Sequence, residues 1–156
     1  MNIKSILIII SIALPFAGCK VDSQEQASEI SSQASWWLAK GNYYKAKELF
    51  IKASDLRPSC AEYHIGIAMA SLKVKDLETA GIRYQKALEI LEVQSRNDPN
   101  RVDDLAMVLV CLGREEGARE EINKAKERFK NNGMINSLSD NFNVLIESWD
   151  EFRIDD

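Results

Sequence analysis

Apolar side chains recur along residues 27–132 with the three-to-four-residue spacing of amphipathic helices, in pairs of runs that a short polar turn separates. The second run of each pair places a small, a large and a small apolar residue at positions i, i+4 and i+7. These sets are Ala46, Phe50 and Ala53, then Ala80, Tyr84 and Ala87, then Ala118, Ile122 and Ala125. Each set lies on one helical face, where the small residues allow a neighbouring helix to approach closely. The pattern therefore predicts a helical hairpin that is repeated three times.

Glycine marks the turn inside two of the three hairpins. Gly41 and Gly113 stand where helices often end in the left-handed conformation, and Lys75 holds the same place in the middle unit. The middle unit is longer, because its second helix is expected to continue through residues 91–93 and to end before Pro99.

These units resemble the tetratricopeptide repeat (TPR) family. Trp37 stands at the tyrosine place of the family pattern, followed by the Ala46-x₃-Phe50 pair and Pro58, whereas Ser71 replaces the tyrosine in the second unit. The resemblance implies an all-α fold, a right-handed α-solenoid of three TPR hairpins at 27–60, 61–98 and 99–132.

The last segment, 133–156, predicts one more helix, which begins near Ser137 or Ser139. Its apolar face carries Phe142, Leu145, Ile146, Trp149 and Phe152. Because three repeats expose an apolar end, we expect this helix to cap the solenoid. The alternative is a helix that recognises a partner or a second copy through Trp149 and Phe152.

Residues 1–18 predict a targeting signal, since Lys4 is their only charge and the apolar stretch 6–14 is too short to span a bilayer. Small residues lead to the Gly18-Cys19 junction, which resembles the cleavage and lipidation site of bacterial lipoproteins. An ordinary cleaved secretory signal is the alternative. The resemblance implies that Cys19 carries acyl chains that enter the lipid bilayer and that 19–26 form a tether. Lys20 in place of Asp favours the outer membrane, facing the periplasm, in a Gram-negative cell envelope.

The TPR resemblance also implies a concave groove lined by the first helices of the repeats. The predicted groove residues are Leu38, Glu62, Ile65, Met69, Leu72, Lys73, Asp103, Met107, Val110 and Cys111, with Ser28, Ser31, Ser35, Ala39 and Asn100 at the remaining groove-facing positions. The apolar members could accept the apolar face of a helix or an extended segment, and the charged members could orient it. The alternative is that the C-terminal segment or the curvature of the solenoid half covers them.

Composition argues against several other functions. A net charge of −4 without a long Lys/Arg run argues against nucleic-acid binding. The single histidine, His64, is expected to be a buried or rim residue rather than a catalytic one, and Cys60 and Cys111 are expected to be free thiols. No phosphate-binding loop or metal-ligand spacing is present in the sequence, so no cofactor, metal or catalytic residue is predicted.

The sequence thus favours a membrane-anchored TPR lipoprotein that is not an enzyme and acts as a scaffold or assembly adaptor. It would bind an envelope protein or peptide segment, as pilotins and the adaptors of cell-wall enzymes do. Two alternatives remain: a structural envelope subunit that self-assembles through its exposed ends, with Trp36 as a candidate contact although core packing is preferred for it, and an envelope enzyme with a carboxylate site at Asp103 and Asp104.

Overall fold

The computed structural model describes residues 19–154, and the predicted targeting signal lies outside this range. The described chain contains seven α-helices, two 3₁₀ turns and no strand. The helices are α1 (Cys19–Ala39), α2 (Tyr43–Leu56), α3 (Ala61–Lys73), α4 (Leu77–Gln94), α5 (Val102–Cys111), α6 (Glu115–Arg128) and α7 (Gly133–Trp149), with 3₁₀ turns at Pro99–Arg101 and Asp150–Phe152. None of these helices is long and apolar enough to cross a membrane.

Helices α1 to α6 form three successive hairpins of a right-handed TPR-like α-solenoid, which confirms the predicted fold class. The three small-large-small sets lie in its core, because each of their nine residues is at most 5% exposed. Helix α7 packs against α5 and α6 and covers the end of the last hairpin. Its apolar face joins the same core, since the side chains of Ile135, Leu138 and Phe142 are buried there.

The three hairpin turns share one backbone conformation. Gly41, Lys75 and Gly113 have φ angles of 77°, 63° and 73°, in the left-handed region that glycine adopts most easily. Lys75 therefore occupies the glycine place without glycine's freedom, as the sequence indicated.

Two predicted boundaries are wrong. Helix α1 begins at Cys19, whereas the sequence placed the first helix after residue 26, so residues 19–26 are helical. Helix α7 begins at Gly133, earlier than Ser137 or Ser139, since the Asn132 side chain accepts hydrogen bonds from the backbone N–H groups of Met134 and Ile135. Asn132 is thus the N-cap of α7.

The apolar core is unevenly distributed along the solenoid. One cluster of twenty buried residues runs from α3 through α7, whereas the first hairpin relies on two clusters of six and three residues. Trp37 packs against the six-residue cluster. The preference for core packing of Trp36 is wrong: its side chain is 54% exposed, and its ring meets Trp37 edge to face at 4.5 Å between centroids.

Candidate functional site

An open groove of about 270 Å³ lies across the first helices of the three hairpins. It is lined by Ser31, Ser35, Leu38, Phe50, Glu62, Tyr63, Ile65, Gly66, Met69, Asp104 and Met107. Helices α1, α3 and α5 supply most of this lining, because their side chains share the inner face of the solenoid. The result is a mainly apolar surface with hydroxyl groups from α1 and carboxylates from α3 and α5.

The floor of the groove depends on a close approach between α2 and α3. A Cβ atom at Gly66 would lie 2.6 Å from the ring of Phe50, so only glycine fits here without movement of that ring. The sequence pattern placed Phe50 in the core but did not indicate Gly66. An isolated glycine inside a helical pattern was the available signal, since such a residue often marks a close packing contact.

One end of the groove is acidic. Arg101 makes ion pairs with Glu62 and with Asp104, the latter at 3.3 Å between Nη1 and Oδ2. Burial raises the pKa of the Asp104 carboxyl group, although Arg101 partly opposes this effect. Burial alone raises the pKa of neighbouring Asp103. The carboxylates of Glu62 and Asp104 face one guanidinium, which leaves this end with excess negative charge.

The opposite end of the predicted groove is closed by residues 150–154, which we call the strap. The Ile154 N–H donates to the Cys111 carbonyl oxygen at 2.9 Å, and the Tyr84 hydroxyl donates to the Phe152 carbonyl oxygen at 3.2 Å. Lys73 Nζ lies 2.7 Å from Glu151 Oε2 and 4.9 Å from the centre of the Phe152 ring. The strap therefore lies over the C-terminal ends of α3 and α5.

The predicted groove residues divide into two groups. Leu38, Glu62, Ile65, Met69 and Met107 line the open groove together with Ser31 and Ser35. The remaining predicted groove residues, which do not line it, are Leu72, Lys73, Asp103, Val110 and Cys111.

The second group needs correction for physical reasons. Val110 and Cys111 are fully buried in the core, and Leu72 packs against that core. Lys73 pairs with the strap, and Asp104, one residue later than Asp103, faces the groove instead. The alternative that the C-terminal segment covers part of the groove thus holds at one end only.

The remaining candidate side chains are buried or partly buried. His64 is buried, and its Nε2–H donates to the Pro58 carbonyl oxygen at 2.9 Å while Arg83 approaches Nδ1 at 3.4 Å. Burial lowers the pKa of His64. Cys60 and Cys111 are free thiols, and burial raises the pKa of each to about 11. Thiols with such pKa values are weak nucleophiles near neutral pH.

Among the side chains that the structure describes, those of residues 23–154, no group of three or more His, Cys, Asp or Glu is arranged to hold a metal ion.

No known protein-family pattern and no curated protein matches the chain. Solved structures of the type III secretion translocator chaperone SycD from Yersinia enterocolitica are similar to it in fold. One is 17% identical, covers 80% of this chain and 90% of SycD, and has a TM-score of 0.53. A second SycD structure, described as an alternative dimer, is 17% identical, covers 81% and 92%, and has a TM-score of 0.52. The similarity establishes a TPR-like helical-repeat fold for this chain.

Proposed function

We propose that this protein is a membrane-anchored adaptor of the bacterial cell envelope that binds an apolar segment of another protein in its open groove. The observation that carries this proposal is the groove itself, in which Leu38, Met69 and Met107 present apolar surface to solvent beside the nearly buried Ile65. A solvated apolar groove favours binding of an amphipathic helix or an extended segment.

The side chains of the groove suit a binding role better than catalysis. Methionine side chains adapt to different apolar shapes, which suits a chaperone or adaptor. Asp104 already pairs with Arg101, which suits this carboxylate to a role as a fixed charge better than to catalysis. It would orient a basic residue of the partner. SycD, which shares the fold, is a secretion chaperone, and this supports a protein-handling role.

The groove is tested by substitutions that place a charge in it. Met69→Glu and Met107→Glu should each weaken recovery of specific partners from detergent-solubilised membranes by about tenfold or more, because a carboxylate would be desolvated against the apolar segment. Ile82→Glu and Val144→Glu are matched controls, since both residues are exposed and lie outside the groove. Equal recovery of the same partners by all four variants would contradict the groove hypothesis, and recovery of only the protein itself would favour a self-assembling subunit.

The anchor is tested separately through Cys19. A bacterial lipoprotein holds several acyl chains on this cysteine, and several chains give a lasting anchor where one gives only marginal binding. Radiolabelled palmitate should therefore be incorporated by the native chain and lost in Cys19→Ser, with Cys60→Ser as the matched control. Label that persists in Cys19→Ser would contradict the lipoprotein assignment, and fractionation of the labelled protein tests its outer-membrane location.

A further inference from the structure

The strap, a 3₁₀ turn followed by an extended residue, is held by main-chain hydrogen bonds as well as side-chain contacts, and this points to a second docking surface beyond the open groove. Its backbone leaves the 3₁₀ turn at Arg153, which has the extended angles φ −73° and ψ 149°. Two backbone groups of the strap then make hydrogen bonds with the solenoid, at Ile154 and Phe152. Peptide-binding surfaces commonly combine such main-chain hydrogen bonds with side-chain contacts that give specificity.

The surface beneath the strap presents a basic and an acidic side chain to successive charged residues of the strap. Lys73 contacts the Glu151 carboxylate at 2.7 Å, and Glu115 contacts the Arg153 guanidinium at 2.8 Å. The Phe152 ring lies beside the Lys73 ammonium group, where a cation–π contact stabilises it. The surface therefore fits an acidic, an aromatic and a basic residue in succession.

The last position of the strap, Ile154, is aliphatic. Gly81 lacks a side chain, and a Cβ atom built there would lie 3.6 Å from Cδ1 of Ile154, which is ordinary van der Waals distance. Tyr84, whose hydroxyl group bonds to the strap, is fully buried. Burial of an aliphatic side chain at this place adds apolar contact to the polar contacts made by the three preceding residues.

The contacts of the strap are of a kind that solvent weakens. Both of its ion pairs with the solenoid include partly exposed side chains, and exposed pairs stabilise by only about 0.2–1 kcal/mol each. None of residues Asp150–Phe152 in the strap is buried, and segments with few buried apolar contacts open at the lowest free energy. It can therefore leave the surface while the solenoid remains folded.

We propose that the surface beneath the strap is a docking site for a short segment of a partner protein with consecutive acidic, aromatic, basic and aliphatic residues in the same turn-then-extended conformation, and that the strap is its internal competitor. This inference goes beyond the proposed function, because it concerns Lys73, Gly81, Tyr84 and Glu115 rather than the open groove.

The test uses an acetylated and amidated fluorescent peptide, Asp-Glu-Phe-Arg-Ile, that copies the strap. Its affinity is measured by anisotropy for the native chain and for Phe152→Ser/Ile154→Ser, in which the strap is weakened but the surface is intact. The apparent affinity should rise about tenfold in the variant if the strap covers the site about nine-tenths of the time. No increase, with the variant folded by circular dichroism, would overturn the proposal.

A charge exchange tests the same idea without removing apolar contacts. Arg153→Glu should open the strap and strengthen binding of the peptide, because it places like charges at Glu115. Adding Glu115→Arg should close the strap again and return the affinity to the native level or below. Unchanged affinity throughout this series would contradict the assigned contacts.

Two further measurements distinguish this docking site from the open groove and from a strap-exchanged dimer. Met69→Glu and Met107→Glu should leave the affinity for this peptide unchanged, so failure of the groove hypothesis and failure of this one are distinguishable. Sedimentation of the native chain should show no dimer that the free peptide dissociates. Such a dimer would mean that the strap is exchanged between two copies, and it would overturn the assignment of a different protein as the partner.

Discussion

At the scale of single residues, the turn at Lys75 holds a non-glycine residue at a positive φ angle, which is unfavourable for any residue with a Cβ atom. A non-glycine residue in the left-handed region costs about 1–2 kcal/mol relative to right-handed backbone. Lys75→Gly should therefore raise the free energy of unfolding by about 0.5–1 kcal/mol, after the added freedom of glycine in the unfolded chain is subtracted. Urea denaturation measures this change.

Gly113 provides the reciprocal control for Lys75. It has the same conformation, and a Cβ atom there would meet no other atom within 4 Å. Gly113→Lys should thus lower the free energy of unfolding by a similar amount through backbone strain alone. If both substitutions changed stability in the same direction, the turn would not limit stability as argued.

His64 should titrate below the range of an exposed histidine. Burial lowers its pKa below 6.5 in the folded protein, so the unfolded chain binds the proton more readily. The part of the free energy of unfolding that depends on His64 is therefore fully present above pH 6.5. It is lost as the pH decreases from 6.5 through the folded-state pKa. Since the chain has one histidine, a single imidazole signal in nuclear magnetic resonance reports this value directly.

The control for the histidine prediction is His64→Gln, whose amide can still donate to the Pro58 carbonyl oxygen. The native chain should lose more stability than this variant between pH 7.5 and pH 5.5. Equal losses, or an imidazole midpoint at or above 6.5, would show that burial does not control the ionisation of His64.

At the scale of the elements, the contact of α2 with α3 determines both packing and the shape of the groove. Gly66→Ala should lower the free energy of unfolding by about 1–3 kcal/mol, because the new methyl group overlaps the Phe50 ring and forces it to shift. Thermal or urea unfolding measures the loss, and weaker partner binding should accompany it. Gly117→Ala is the matched control, since that position in α6 has room and alanine favours the helix.

Helices can be predicted from sequence where apolar residues recur at a regular spacing. Segments that lack such a spacing cannot be predicted in this way. The small-large-small sets identified three hairpins because each set lies on one buried face. The strap has five residues and no period, so its path over Lys73 and Cys111 depends on tertiary contacts that the pattern does not encode.

The candidate site shows the same division. Leu38, Ile65, Met69 and Met107 were identified because a groove position follows from the register of a first helix. Asp103 and Asp104 are adjacent, and a shift of one residue in that register decides which of them faces the groove. Val110 was predicted wrongly because α5 lies in the middle of the largest core cluster. Neighbouring helices cover a residue on its inner face there, so Val110 is buried rather than exposed.

At the scale of the whole molecule, the uneven core predicts uneven stability. Repeat proteins derive stability from each unit and from contacts with its neighbours. The twenty-residue cluster joins α3 to α7, whereas the first hairpin is held by clusters of six and three residues. We expect the first hairpin to open by itself, at a lower free energy than global unfolding.

Native-state hydrogen exchange measures this difference. Amide groups of α2 should be protected about tenfold less than those of α4, which corresponds to ~1.4 kcal/mol in opening free energy.

Ala53→Gly and Ala87→Gly form a matched pair, because both alanines are fully buried at the third position of their sets. Ala53→Gly should weaken protection mainly in the first hairpin, while Ala87→Gly should weaken it from α3 through α7. If either substitution lowered protection equally along the whole chain, the solenoid would unfold as one unit. The first hairpin would then already be as stable as the others, and a partner segment that binds across the first and second hairpins would not need to stabilise it.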